Sequence, residues 1–202
     1  MRATSLNPLS LAVLELLHEK PMHPYEMRHH VLERGLDEVI RLKDASLYSA
    51  VARLAKAGFI EEVETSRDGH RPERTVYRIT EAGYDEFMIG LRSLLSEPAP
   101  EYPLFAAGLA FIGAIPPDEA IQLLEWRALR LEAAVAADQA TLAGVERTGL
   151  PRLFVVEAEY MHEVRKAELS AVRKFVAQMR SGELAWPEET LALQESKKGE
   201  TA

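Results

Sequence analysis

Apolar residues recur at helical spacing in three short segments of the first 58 residues. A capping residue followed by proline predicts a helix start at Asn7-Pro8, and His23-Pro24 is expected to open a second helix that ends near Gly35. Asp44 is expected to cap a third helix over residues 45–57. The pattern therefore predicts three helices in quick succession.

The period of the pattern changes after the third helix. Residues 59–65 and 75–80 are β-compatible and partly alternating, and Asp68-Gly69 with Pro72 between them is typical of a hairpin loop. Three helices followed by a hairpin is the order of a winged helix-turn-helix, a compact DNA-reading unit.

The remainder of the chain is predicted to be helical. A helix over 81–95 precedes a proline-rich break at 96–100, and LFAAGLAFIGAI at 104–115 is expected to form a buried helix. Two long helices, over about 121–145 and 150–180, carry apolar stripes that need partners to cover them. The predicted fold is mainly α with a small β-hairpin wing. We expect a winged helix-turn-helix domain with a linking helix at 1–96, a helical dimerisation and effector domain at 97–182, and a polar tail at 183–202.

Composition narrows the functional classes. The chain has 202 residues, a formal net charge of -8 and no cysteine. A disulfide framework, a thiolate metal site and a cysteine nucleophile are therefore excluded. No apolar stretch approaches the roughly 18 to 20 residues that span a bilayer, so we expect no membrane association and a cytoplasmic location.

The negative charge is unevenly distributed. Residues 1–96 carry 13 basic and 15 acidic residues, whereas residues 97–202 carry 11 and 17. Arginines gather at the predicted hairpin, at positions 67, 71, 74 and 78. Because phosphate contacts dominate affinity for DNA, this hairpin is a candidate contact with the DNA backbone.

The third helix has two distinct faces. Leu47, Val51 and Leu54 point one way, whereas the opposite face is small, polar and basic, with Ala45, Tyr48, Ser49, Ala52, Arg53 and Lys56. A helix that enters the major groove needs such an outer face. On its own, the pattern also fits any amphipathic surface helix.

Three stretches resemble the PadR family of bacterial transcriptional regulators. They are LAVLELLHEKPMHPYEM at 11–27, DASLYSAVARLAKAGFIE at 44–61 and RPERTVYRITEAGYDEF at 71–87. The resemblance implies that Ser46, Tyr48 and Ser49 face DNA from the third helix and that Arg71 and Arg74 act from the wing. It also matches Tyr25 to the family's second helix, with Pro24 in place of the usual glycine. With neighbouring polar and basic residues, the candidate DNA-binding set is Tyr25, Lys43, Ser46, Tyr48, Ser49, Arg53, Lys56, His70, Arg71 and Arg74.

The resemblance further implies a homodimer that represses transcription from a palindromic operator, with half-sites about 34 Å apart. Candidate dimer contacts are Leu124, Leu131, Val135, Val164 and Phe175. The family includes members that respond to aromatic or drug-like compounds, so Phe105, Phe111, Trp126, Phe154 and Tyr160 are candidate lining residues of an effector pocket. The alternative is that these aromatic residues belong to the core.

Two other functions fit parts of the sequence. Glu-x-x-His occurs at Glu26–His29 and at Glu159–His162, the spacing used by di-iron carboxylate bundles. The first pair lies in a short helix of the winged unit, and such a site needs two further glutamates, so we expect neither metal nor cofactor and no catalysis. The second rival is a winged-helix module that binds protein, which the overall acidity favours.

Overall fold

The computed structural model describes residues 6–66, 74–188 and 190–191. The chain divides into two compact units, Met1–Pro100 and Glu101–Ala202, called here the N-unit and the C-unit. The N-unit contains α1 (Pro8–Glu19), α2 (Pro24–Glu33), α3 (Asp44–Lys56), β1 (Ile60–Ser66), β2 (Arg74–Ile79) and α4 (Glu81–Ser96). The C-unit contains α5 (Leu104–Ala110), α6 (Pro117–Glu146) and α7 (Val156–Ser181). The predicted fold class is confirmed.

Local capping explains the starts of α1 and α2. The Asn7 side chain accepts a hydrogen bond from the Ser10 amide at 2.8 Å, and a proline follows it. His23 caps α2 through its ring Nδ1, while the Glu26 carboxylate accepts a hydrogen bond from the His23 amide at 2.9 Å. Both helix starts are as the sequence predicts.

The start of α3 differs from the prediction by one residue. Asp44 is the first helical residue, and Lys43 occupies the cap position without a side-chain hydrogen bond. The Asp44 carboxylate is engaged elsewhere, as described below, which explains why it does not cap the helix. Gly58 follows the helix at a φ of 75°, a conformation that glycine adopts without strain.

The hairpin is joined to the helices at its base. β1 and β2 pair antiparallel from Ile60 opposite Ile79, with a bulge between Glu62 and Glu64. An isolated bridge adds Met22, from the connection between α1 and α2, to Tyr77 of β2 through two backbone hydrogen bonds of 3.1 and 3.2 Å. The hairpin is therefore tied to the turn that precedes α2.

Thr80 and Gly83 fix the transition from β2 to α4. The Thr80 hydroxyl donates to the Gly58 carbonyl at 2.8 Å and accepts from the Gly83 amide at 3.1 Å. A Cβ at Gly83 would lie 1.9 Å from the Phe59 carbonyl oxygen. The close approach of α4 to the end of α3 and the start of β1 therefore requires glycine at this position.

The N-unit has a continuous apolar core. Its buried side chains come from α1, α2, α3, β1 and the Met22 bridge: Leu9, Val13, Leu14, Leu16, Leu17, Met22, Met27, Val31, Leu47, Ala50, Val51, Leu54 and Ile60. Burial at this scale, at about 1.5–3 kcal/mol per large side chain, stabilises the three-helix arrangement that holds α3 in place.

The C-unit is built on α6 and α7, which run antiparallel. Glu125 pairs with Arg180 at 2.5 Å, Glu132 with Arg173 at 3.0 Å, and Asp138 with Arg165 at 2.5 Å. Asp138 interrupts the predicted apolar seam of α6, and its second oxygen lies 3.7 Å from His162 Nδ1. Ion pairs and a polar cluster therefore supplement a small apolar contact.

Two helix predictions in the C-unit need correction. The segment predicted as a buried helix over 104–115 is the short α5 followed by a 3₁₀ turn at Ile112–Ala114, and Leu104 is 91% exposed. The last helix begins at Val156 rather than near 150, after a 3₁₀ turn at Arg152–Val155. Its buried residues are Leu169 and Val172, whereas Tyr160 and Val164, which lie on another face of the helix, are exposed.

Among the described residues, no helix is long and apolar enough to cross a membrane.

Candidate nucleic-acid interface and ligand groove

α3 presents the outer face that the sequence predicts. Leu47, Ala50, Val51 and Leu54 are buried in the core of the N-unit. Ser46, Tyr48, Ser49, Arg53 and Lys56 are exposed, and Tyr48 has 51% of its surface accessible. Because the buried residues anchor one side of the helix, the exposed set occupies a fixed surface.

The acidic residue at the start of α3 is neutralised. Arg28 of α2 donates from Nε to Asp44 Oδ1 at 2.6 Å. This pair joins the second and third helices at the end of α3 that a groove-binding helix would present to DNA. No local pattern in the sequence connects these two residues, because they are 16 positions apart.

Several positively charged side chains near this surface form no ion pair with a described residue. Lys43, Arg53 and Lys56 are exposed, and none of them has an ion-pair partner among the described residues. The Ser49 hydroxyl donates to the Ala45 carbonyl at 2.7 Å, which leaves its lone pairs available as acceptors. The surface is therefore small, polar and positively charged, and phosphates attract such a surface.

The remaining predicted DNA contacts lie in α2 or in the predicted wing. Tyr25, in the first turn of α2, is 67% exposed. His70, Arg71 and the side chain of Arg74 lie outside the described residues, so their roles stay predictions. Arg78 pairs with Glu61 directly across the hairpin at 2.6 Å, which neutralises one of the four arginines counted for the wing.

Two glutamates of α1 that pair with Arg34 at the end of α2 have opposite pKa shifts. Arg34 donates to both carboxylate oxygens of Glu19 at 2.6 and 2.7 Å, and these hydrogen bonds lower the pKa of Glu19 to about 2. Burial, and then the neighbouring Glu19 carboxylate, raise the pKa of Glu15. The bidentate pair joins α1 to the end of α2.

The C-unit contains a wide apolar groove between α5 and α6. Its volume is about 750 Å³, within the range of about 300–1,000 Å³ that is usual for small-molecule sites. Leu109, Ile112 and Leu124 contribute apolar walls, and Phe105, Phe111 and Trp126 contribute aromatic rings. The guanidinium of Arg127 lies 3.8 Å from the Phe105 ring centroid and pairs with Glu168.

The five predicted effector-pocket residues fall into two groups. Phe105, Phe111 and Trp126 line the groove. Phe154 lies in the 3₁₀ turn before α7, and Tyr160 lies in the second turn of α7. They are 65% and 66% exposed, and neither lines the groove.

The predicted dimer contacts differ in how exposed their side chains are. Leu124 is 5% exposed and belongs to the core of the C-unit, because it lies on the face of α6 that packs within the chain. Leu131, Val135 and Phe175 are half-buried, and Val164 is 40% exposed.

The two Glu-x-x-His spacings are occupied by other interactions. Glu26 belongs to the α2 capping box, and His29 pairs with Glu33 at 3.1 Å. Glu159 pairs with Arg152 at 2.7 Å, and His162 faces Asp138. No group of three or more histidine or acidic side chains able to hold a metal occurs among the described residues.

The arrangement of the N-unit defines its class. Three helices, of which the third has a buried inner face and a polar, basic outer face, are followed by a hairpin and a further helix. This is a winged helix-turn-helix. Residues 13–88 match the Transcriptional regulator PadR-like family, so the resemblance seen in the sequence is confirmed. A search of curated proteins finds no match.

Solved structures resemble the chain over nearly its whole length. PadR of Bacillus subtilis in complex with operator DNA is 22% identical with a TM-score of 0.67, over 86% of this chain and 98% of that one. The same B. subtilis protein in complex with p-coumaric acid is 20% identical with a TM-score of 0.67, over 85% and 98%. The PadR-like regulator BC1756 of Bacillus cereus is 16% identical with a TM-score of 0.57, over 86% and 99%. At these identities the likeness establishes the fold.

Proposed function

We propose that this regulator binds an inverted-repeat operator as a homodimer, represses transcription from it, and is released by a small aromatic effector. The observation that carries the proposal is the outer face of α3, where Tyr48, Arg53 and Lys56 are exposed on a helix whose opposite face is locked in the core. Arg28 neutralises Asp44 at the start of the same helix, which removes repulsion between that carboxylate and phosphates. The similar B. subtilis protein was solved with operator DNA.

The homodimer is supported by the C-unit, in which more large apolar side chains are exposed than buried. Only four apolar side chains of its described residues are buried: Ala120, Leu124, Leu169 and Val172. Thirteen large apolar side chains of the same unit are exposed, among them Leu104, Phe111, Trp126, Leu129 and Leu153. Exposed apolar surface on this scale marks an interaction site. A second copy that covers it would relate the two α3 helices by a two-fold axis, the symmetry of an inverted repeat.

The effector is supported by the groove and by one similar structure. An apolar groove of about 750 Å³ with three aromatic rings suits a planar aromatic compound. The B. subtilis protein was solved with p-coumaric acid, a compound of this kind. An effector bound at the dimer interface would release DNA if it favoured a different spacing of the two winged units, since both must meet their half-sites together.

DNA binding is tested by gel shift with DNA from the promoter region of the protein's own gene, at two salt concentrations. We expect a specific complex whose affinity falls as salt rises, because phosphate contacts release counterions. A protein that binds this DNA no better than unrelated DNA at either salt concentration would instead support the winged-helix protein-interaction module.

Effector binding is tested by fluorescence of a Trp186→Phe variant, in which Trp126 is the sole tryptophan. Trp186 does not line the groove, although its indole donates to the carbonyl of the lining residue Ile115 at 3.0 Å. The substitution removes this second fluorophore and retains Trp126 in α6. Titration with p-coumaric acid as the probe is expected to quench Trp126 and to weaken the gel shift over the same concentration range. A shifted complex that is insensitive to saturating probe would exclude this class of effector.

A further inference from the structure

We propose that a second copy of this chain covers the groove between α5 and α6 with its own segment 153–160, and that its groove receives the same segment in return. The inference rests on the homodimer proposed above and specifies which surfaces meet. The groove patch consists of the exposed groove residues Phe111, Leu123 and Trp126. The turn patch consists of Leu153, Phe154, Val156 and Tyr160.

Both patches are too apolar to be ordinary surface. In the groove patch, Phe111 is 74%, Leu123 44% and Trp126 53% exposed. In the turn patch, exposure ranges from 53% for Val156 to 76% for Leu153. Single exposed apolar residues are normal in soluble proteins, but two clusters within one helical unit indicate surfaces that are covered in the assembled protein.

The two patches lie at opposite ends of the α6–α7 pair. Glu125 pairs with Arg180, so the groove patch is level with the end of α7. Asp138 pairs with Arg165, so residues 153–160 are level with the end of α6 or beyond it. At 1.5 Å per helical residue, the patches are about 30 Å apart along the helices. One chain therefore cannot close its own groove with its own turn patch.

An antiparallel two-fold arrangement solves this geometrical problem. A two-fold axis across the middle of the helical pair brings the groove end of one copy to the turn end of the other, and symmetry repeats the contact. A single two-fold rotation then covers both groove patches and both turn patches of the dimer. A two-fold axis parallel to the helices would instead bring like patches together, so that the groove of each copy would face the other groove and not the turn patch.

The charges at the two patches are complementary. Arg130 lines the groove, and Glu157 lies in the first turn of α7 within the turn patch. Neither residue has an ion-pair partner among the described residues. The neighbouring Arg127 is already paired with Glu168, which leaves Arg130 as the groove arginine free to meet Glu157 of the second copy.

This arrangement reunites the five residues that the sequence predicts for an effector pocket. Phe105, Phe111 and Trp126 come from one copy, and Phe154 and Tyr160 come from the other. The groove is thus an incomplete site in a single chain, and the second copy supplies its missing aromatic wall. An effector bound there would contact both subunits.

Disulfide cross-linking tests the arrangement. Because the chain has no native cysteine, only the introduced cysteines can form disulfides. The variant carries both Leu123→Cys and Leu153→Cys, at exposed positions in the two patches. A disulfide requires Cα atoms within about 7 Å, so the roughly 30 Å separation prevents one within a chain. The controls are each single variant and a Gln139→Cys/Leu153→Cys variant, in which one cysteine is exposed on α6 outside both patches. Circular dichroism confirms that every variant is folded.

We expect oxidation to convert most of the Leu123→Cys/Leu153→Cys protein to a disulfide-linked dimer on a non-reducing gel, and the controls to remain largely uncross-linked. Equal cross-linking of the Gln139 control, efficient cross-linking of either single variant, or no cross-linking of the double variant would overturn the arrangement. If the double variant fails to cross-link while the wild type binds its operator as a dimer, this inference fails and the proposed function stands. If the double variant cross-links but the wild type gives no specific gel shift, the arrangement of the two copies stands and the proposed DNA binding fails.

Discussion

Arg28 and Asp44 form an ion pair, with 2.6 Å between Nε and Oδ1, that joins α2 to the first residue of α3. Their side chains are 43% and 69% exposed, so the pair contributes only about 0–1 kcal/mol to stability. Its larger effect is on charge. It cancels a carboxylate at the end of the helix that we propose enters the major groove, where phosphates would repel it.

The first prediction concerns this pair. Arg28→Met should weaken operator binding roughly five-fold, about 1 kcal/mol, because the Asp44 carboxylate is left uncompensated beside DNA. Asp44→Asn in the same chain should restore most of the affinity, since it removes the repelling charge. Gel-shift titrations of the two single variants and the double variant give the coupling energy.

The matched control is a second exposed arginine pair of the N-unit, away from α3. Arg34→Met breaks the bidentate pair with Glu19, between α1 and the end of α2. It should leave operator affinity unchanged when the protein is folded. Equal losses from Arg28→Met and Arg34→Met would mean that the Arg28 effect is one of folding and not of DNA contact.

The second prediction separates base contacts from phosphate contacts on α3. Tyr48→Ala should weaken binding and change the preference among operator sequences, whereas Arg53→Ala should weaken binding to all sequences and lower the slope of log affinity against log salt by about 1. Arg92→Ala removes an exposed arginine of α4 away from this face and should change neither quantity. If Arg92→Ala weakened operator binding as much as Arg53→Ala, the outer face of α3 would not be the DNA-binding surface.

Local signals account for what the sequence predicts well. Capping residues followed by proline mark α1 and α2, and the buried face of α3 follows from its apolar spacing. The packing of the C-unit is not evident from the sequence, because α7 carries two apolar stripes that interleave along the sequence and lie on different faces of the helix. One passes through Tyr160 and Val164, and the other passes through Leu169 and Val172. Spacing alone cannot decide which stripe packs on α6 and which faces outward.

Long-range pairings are the other part that the sequence does not reveal. Arg28 with Asp44 and Asp138 with Arg165 depend on how helices are placed in space. The separation of the aromatic groove residues from Phe154 and Tyr160 depends on the antiparallel direction of α6 and α7. These features determine where charge and apolar surface collect, so they shape the candidate site more than the helix bounds do.

The third prediction compares two glycines of α4. Gly83→Ala should destabilise the protein by about 3 kcal/mol, because its Cβ would lie 1.9 Å from the Phe59 carbonyl oxygen, which the backbone holds in place. Gly90→Ala should have a smaller effect, because its Cβ would meet the far end of one side chain, Leu11 Cδ2 at 2.9 Å, and not backbone, and alanine favours the helix by about 1 kcal/mol. Thermal unfolding followed by circular dichroism measures both. Similar melting temperatures for the two variants would contradict the close contact at Gly83.

The fourth prediction is a pH dependence of stability at the pair between α1 and α2. Hydrogen bonds from Arg34 lower the pKa of Glu19 from 4.5 to about 2 in the folded protein. The stabilisation by Glu19 is therefore fully present above pH 4.5 and is lost as the pH falls towards 2. Both side chains are more than a third exposed, at 37% and 40%, so solvent screening limits the effect to about 0.5–1 kcal/mol.

Glu15 provides a control of opposite sign. Burial and the Glu19 carboxylate raise its pKa above 4.5, so its ionised form opposes folding at neutral pH and its protonated form does not. Glu19→Gln should lower the free energy of unfolding at pH 7 and have little effect near pH 2. Glu15→Gln should raise it slightly at pH 7, and that gain should vanish as the pH falls below 4.5. Urea titrations of the wild type and both variants at pH 7, 4.5 and 2.5 measure these differences, and a Glu19→Gln effect that is the same at all three pH values would rule out the Arg34 pair as its source.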